Sequence, residues 1–197
     1  MGRQGGHSGA MRLTFLHDPR GGESLTLIRR ADGAEFNLFS YSRKHRVPHD
    51  LAHAVTEREL RMPDGIFGCI AAGAVFDSME QTAGKKRHDA KVRSARILKA
   101  PNSIGMSEAL SSVFHMAVEK DQSTPYAEVR EMWGVTRADP CPYADVDLDR
   151  TTETLRELSH RWQASSDPLD FPWPESLQAE ASQHGPKIRV RTGRRDR

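Results

Sequence analysis

"SLTLIRRADGAEFNLFSY", residues 24–41, decides the fold. It holds an alternating run, an Asp-Gly pair and a second alternating run. Successive side chains of a strand point to opposite faces, and Asp-Gly suits a tight hairpin turn, so the stretch reads as a β-hairpin. Upstream, "MRLTFLH" (11–17) alternates in the same way, with Leu13 and Phe15 on one face, and "PRGGES" (19–24) reads as a turn. In the middle run Leu25 and Leu27 are expected to share a face. Three strands joined by tight turns predict an antiparallel β-meander over 11–41.

Beyond the meander the pattern turns helical. Pro48 suits a first helical position, where its missing N–H costs nothing, and Asp50 suits the positive helix N-terminus. A helix is expected from Pro48 to Arg61, ended by "MPDG". Asp64 is then expected to cap a second, apolar helix over "GIFGCIAAGAVFDSM". Residues 78–100 read as an exposed, partly helical connection. "SIGMSEALSSVFHMAVEKD" predicts a third helix, with Met106, Leu110, Val113, Phe114 and Ala117 on one face. Thr124 and Pro125 open a short fourth, and "DRTTETLRELSHRWQA" spaces Leu155, Leu158 and Trp162 as a fifth, with Asp149 as its cap. "SDPLDFPWP" is expected to break the fifth helix, with a mobile end beyond it.

The fold class that follows is α+β, a three-stranded antiparallel β-meander packed against four or five helices. The expected core includes Leu13, Phe15, Leu27, Phe36, Leu51, Val55, Phe67, Ile70, Val113, Phe114 and Trp162. The 197 residues, 37% hydrophobic and 28% charged, suit one domain with a modest core. Residues 1–10 read as a disordered leader, 11–177 as a single domain and 178–197 as a mobile basic tail.

Chemistry concentrates in "VPHDLAHAVTEREL", residues 47–60. With about 100° per residue and Leu51 set at zero, Val55 and Met62 form one apolar stripe with it. His49, His53 and Glu57 fall at roughly 160°, 200° and 240°, on the opposite face, one turn above another. Two imidazoles at i and i+4 can converge on one metal ion. His49 and His53 are therefore the candidate ligands, with Glu57 as a third and Asp50 as a catalytic base or a partner that orients a histidine. His88, His115 and Asp64 are further candidates for completing the set. Imidazole and carboxylate suit zinc, iron and manganese alike, so the cofactor expected is a divalent metal, with zinc among the candidates. The same residues also fit a helix that is simply polar on one side.

The five residues "HDLAH" resemble the HDxxH signature of the zinc-associated protein family of ubiquinone biosynthesis. That resemblance implies a zinc-binding helix. The family's motif continues with a Glu after eleven intervening residues, where this chain has Gly65, with Asp64 one place earlier. The longer stretch "VPHDLAHAVTERELRMPDGIFGCIAAGA" resembles a motif of small uncharacterised bacterial proteins, which implies no particular activity.

Charge and cysteines bound the remaining possibilities. The net charge of +2 is unevenly spread: residues 85–99 carry seven Lys/Arg against one Asp, and 187–197 carry six against one. Residues 119–157 hold ten acidic and five basic side chains. Such basic blocks are able to contact a polyanion, although no aromatic residue interrupts 85–99 to stack on bases. Two distant cysteines, Cys69 and Cys141, build no disulfide framework, and the N-terminus carries no secretory h-region, so a cytoplasmic location is expected. No apolar run approaches the length of a membrane span. "DVDLD" lacks the Gly and the closing Glu of a calcium loop, Gly84-Lys85 lacks phosphate-loop spacing, and Ser111 and Ser112 lack a nucleophile-elbow context.

The leading expectation is a small metal-binding protein, a metal-dependent hydrolase or lyase acting on a small molecule. The alternative is a nucleic-acid-associated or protein-interaction module using the basic segment 85–99 and the C-terminal tail.

Overall fold

The alternation in residues 12–40 is realised as three strands: β1 (Arg12–Leu16), β2 (Ser24–Arg29) and β3 (Glu35–Ser40). They pair antiparallel, with Leu13 opposite Ile28 and Ile28 opposite Phe36. The computed structural model describes residues 10–17, 24–40, 45–85, 87–99 and 104–180. The Asp-Gly pair makes the β2–β3 turn: Gly33 has φ 79, and Asp32 Oδ1 accepts from Ala34 N at 3.2 Å. Arg30 clamps the same carboxylate, its Nη2 standing 2.6 Å from Asp32 Oδ2.

The sheet is wider than the meander. Further along the chain come α1 (His49–Glu59), α2 (Ile66–Ala72), β4 (Met79–Ala83), α3 (Ala90–Lys99), α4 (Ile104–Glu119), α5 (Tyr126–Thr136), α6 (Asp145–Ala164) and β5 (Leu169–Pro172). The five-stranded order is β4-β3-β2-β1-β5. Both added strands lie in segments the sequence reading left without strands. β4 is short and largely exposed beyond Met79, so it carries almost no alternation. β5 lies in the stretch expected only to break the fifth helix, where Pro168, Pro172 and Pro174 crowd together. On an edge strand a proline removes no necessary ladder bond, and Leu169 and Phe171 point inward while Asp170 and Pro172 point out.

One register expectation is overturned. Leu27 is expected in the core, on a face shared with Leu25, but Leu27 is 37% exposed, while Ser24, Thr26 and Ile28 are buried. Because side chains alternate, the choice is all or none. Ile28, stacked between Leu13 and Phe36 on neighbouring strands, fixes it. The inner face therefore runs from apolar at one end (Leu13, Ile28, Phe36) to polar at the other (Ser24, Thr26, Ser40). Outside, Thr14 donates to Asp170 at 2.7 Å and Arg29 pairs with Glu35 at 2.8 Å.

The helices cover the inner face, and α1 lies nearest. Its Asp50 accepts from Thr26 of β2 at 3.4 Å, and its Arg58 guanidinium sits 3.9 Å above the Phe171 ring of β5. Residues 51–57 of α1 are all buried, because the sheet takes one side and α4 and α6 the other. α4 presents Met106, Leu110, Phe114 and Ala117 to the core as expected, with Val113 only partly buried. α6 begins at Asp145, earlier than expected; Asp149 lies within it and accepts from Thr124 Oγ1 at 2.7 Å and from the Tyr126 hydroxyl. The first turn of α6 is instead closed by Asp147, which accepts from Ala144 N at 3.2 Å.

α2 is shorter than expected, and Asp64 does not cap it. Gly65 occupies the N-cap position, and the carboxylate of Glu57 on α1 receives its amides: Ile66 N to Oε1 and Phe67 N to Oε2, both at 2.8 Å. Close approach makes this possible. A Cβ on Gly65 would lie 2.5 Å from the Glu57 carboxyl carbon, and one on Gly68 would lie 1.9 Å from Pro63 O. Glycine at both positions lets the turn and the helix touch backbone to side chain and backbone to backbone. α2 ends at Gly73, whose φ of 114 forms the left-handed cap.

Candidate metal centre

His49 and His53 lie one turn apart on α1, as the spacing predicts, and their rings meet at 4.7 Å between centroids. Their Nε2 atoms are 3.2 Å apart. The third group facing them comes from α4: Glu108 Oε2 lies 2.8 Å from His53 Nε2 and 3.6 Å from His49 Nε2. Ligands at about 2.0–2.1 Å around a tetrahedral ion stand roughly 3.3 Å from one another, so the three separations bracket what one ion requires.

Glu57, expected as the third ligand, is brought to the other side of His53. Its carboxylate is fully buried and faces α2, where it accepts the two backbone amides and the Ser107 hydroxyl at 2.6 Å. His53 Nδ1 lies 3.4 Å from Ser107 Oγ and 3.6 Å from Glu57 Oε1. Thus Nδ1 points into a fixed polar pocket and Nε2 points outward at Glu108. Such an arrangement orients an imidazole for metal binding through Nε2.

The electrostatics follow from these neighbours. Burial disfavours the His53 cation, but hydrogen bonding and charge from Glu108 and Glu57 outweigh it and hold the group up at about 9. The hydrogen bond from His53 in turn draws Glu108 below the usual carboxylate range, against partial burial. His49 is pushed down by burial and by the positive charge of His53. Burial pushes the Asp50 carboxyl up to about 6, although His53 and the Thr26 hydroxyl oppose the shift.

A cavity of about 530 Å³ adjoins the pair, between the polar end of the sheet and α4. His49, Asp50, Ser40, Ser112, His45 and His115 are among its walls. Asp50 therefore faces the cavity beside His49 and touches the sheet's polar inner end through Thr26. Ser24, opposite Ser40 in the ladder, is buried with no hydrogen-bond partner on its hydroxyl among the described residues. A second grouping, His45, His115 and Glu119, opens on the same space, its ligand atoms all within 4.8 Å of one another. His115 Nε2 donates to Val47 O at 2.8 Å. Of the other candidates, His88 is exposed ahead of α3, away from both groupings.

Glu108 was missed by the sequence reading, but a signal exists. Glu108, Ser112, His115 and Glu119 recur at spacings of four, three and four along α4, a polar stripe beside its apolar one. The stripe is legible only once α4 is known to face α1.

The basic segment 85–99 is partly structural. Arg93 donates twice to Ala72 O, at 3.0 and 2.6 Å, tying α3 to the end of α2, and Arg87 pairs with Asp89 at 3.0 Å. Lys91, Arg96 and Lys99 are exposed. The tail 187–197 and the leader 1–9 lie outside the described residues. Among the described residues no helix is long and apolar enough to cross a membrane.

Comparison of the chain with protein-family models, with curated proteins and with solved structures gave no match. The chain is a small α+β protein with two His/Glu clusters geometrically suited to a divalent cation.

Proposed function

We propose that the chain binds a divalent cation through His49 Nε2, His53 Nε2 and Glu108 Oε2, and acts as a metal-dependent hydrolase or lyase on a small molecule in the adjoining cavity. The convergence of those three atoms, none more than 3.6 Å from another, carries the reading. Two imidazoles and one carboxylate suit zinc, and three protein ligands leave a fourth position open, as in catalytic zinc sites. The ion would supply a Lewis acid at the cavity wall. Glu57 and Ser107 hold His53 in the ligating orientation. Asp50 holds or releases a proton beside His49, and its pKa of about 6 is matched to acid–base work near neutral pH. The free cysteines Cys69 and Cys141 accord with a reducing, cytoplasmic setting.

Zinc content after equilibration and gel filtration tests the reading. His53→Ala and Glu108→Gln are each expected to weaken zinc binding by at least about a hundredfold, the upper end of what loss of an outer partner costs. Equal zinc affinity in the wild type and in both variants would sink the proposal. The catalytic half has its own test. Asp50→Asn is expected to keep the metal and to cut turnover of activated esters by about a hundredfold, as loss of a general base does. Unchanged turnover with metal retained would remove Asp50 from the chemistry.

A further inference from the structure

The structure places four imidazoles in an unbroken row. His53 meets His49 at 4.7 Å between centroids, His49 meets His115 at 5.7 Å, and His115 meets His45 at 4.9 Å. A carboxylate closes each end, Glu108 beside His53 and Glu119 beside His45 and His115. Such a row is not what a polar helix face needs for solubility, because His53 and His115 are 2% and 4% exposed.

We propose that His45, His115 and Glu119 take a second divalent cation next to the first, so that the cavity is walled by a paired centre. The two groupings have no residue in common, and this site stands on its own ligands. His115 spends Nε2–H on Val47 O, which leaves Nδ1 as the ring nitrogen with a free lone pair. Glu119 is held by the backbone amides of Arg46 (3.0 Å to each oxygen) and Val47 (3.1 Å). A carboxylate has about four acceptor positions, so those bonds fix it and leave room for a metal bond. The same amides belong to the segment carrying His45, so one carboxylate both folds that segment and faces its histidine. Arg46 does not cancel the site: its Nε stands 3.6 Å from Glu119 Oε1, beyond hydrogen-bond distance, and its Nη2 is turned to Glu119 O and to Asp121 Oδ2, the latter at 3.2 Å. Imidazole and carboxylate again select zinc, manganese or iron(II) rather than calcium.

Zinc bound per full-length chain, measured by elemental analysis together with calorimetric titration of zinc alone, tests this. The wild type is expected to bind two ions. His45→Ala, at a partly exposed position, is expected to bind one, and so is His53→Ala. Glu119→Gln keeps an acceptor for the Arg46 and Val47 amides, so the segment stays folded while its second equivalent weakens at least tenfold. A wild type that binds one ion, lost in His53→Ala and kept in His45→Ala, overturns the second site and leaves the first standing. Two ions retained by both His45→Ala and Glu119→Gln also overturn it. No bound zinc in the wild type overturns both proposals.

Discussion

Glu57→Ala is expected to lower the melting temperature by about 10–15 °C, from a loss of about 3–5 kcal/mol converted at the scale of a domain this size. Glu57 is fully buried, and every partner it has is buried or committed with it. Its oxygens receive Ile66 N and Phe67 N, more distantly Gly68 N at 3.4 Å, and the Ser107 hydroxyl, and one of them stands 3.6 Å from His53 Nδ1. Alanine would strand two helix N-terminal amides away from water and leave the His53 ring with one carboxylate fewer. Each stranded donor costs about 1–3 kcal/mol, with any compensating solvent entry offsetting part of it. Glu57→Gln keeps one acceptor oxygen and is expected to lose about half as much. Thermal melts followed by circular dichroism decide it. A shift within about 1 °C for Glu57→Ala would mean that α2 is capped by something else.

Trp173→Ala is expected to cost about 3–5 kcal/mol, the range for deleting a large buried aromatic side chain. Trp173 is 1% exposed, packs against Phe67 at 5.8 Å between ring centroids, and donates its indole N–H to Leu177 O at 2.6 Å. Its own backbone N–H goes to Met11 O at 3.0 Å. The residue thus pins both ends of the described chain to α2. Trp173→Phe separates the two contributions: it keeps most of the packing and loses the indole bond, for an expected loss of about 1 kcal/mol beyond the volume change. Equilibrium urea unfolding of the two variants measures both. A cost below about 1 kcal/mol for the alanine variant would show that the segment after β5 contributes little to stability.

The meander and the buried helix faces were legible because each obeys a short period. Leu13 and Phe15 in β1, Leu51 and Val55 in α1, and Leu110 and Phe114 in α4 are all buried where the pattern puts them. The middle strand misled because its inward residues are Ser24, Thr26 and Ile28, and two of the three are polar. Hydrophobicity alone then favours Leu25 and Leu27. Only the neighbours Leu13 and Phe36, on other strands, decide the register, and a single run of sequence does not contain them. The edge strands were hidden for a related reason. A strand paired on one side and carrying prolines, such as β5, has no periodic requirement beyond two inward side chains.

At the site, His49, His53 and Asp50 were singled out from one helix, where spacing translates directly into a shared face. Glu57 shares that face by angle, but its reach is spent on α2, which follows it by a turn whose shape depends on Gly65 and Gly68. Glu108, from a helix far along the chain, is the carboxylate that faces the two histidines. The residues of a site that come from one element are readable; those that come from packing two elements together are not.

The strand order has a consequence for how the chain assembles. Among the described residues, β1 is the first strand in the chain and is flanked on one side by β2, its immediate successor, and on the other by β5, the last. During synthesis the meander closes locally, because its turns are short and the loop-closure entropy is small. The outer edge of β1 stays open until Leu169–Pro172 emerges. Until then that edge is unpaired and presented to solvent and to neighbouring chains. The long separation between β1 and β5 raises contact order and slows the final docking step. Docking of β5, and with it the burial of Trp173, thus moves the sheet edge from the regular β1 to a short strand whose prolines make it a poor template for further pairing.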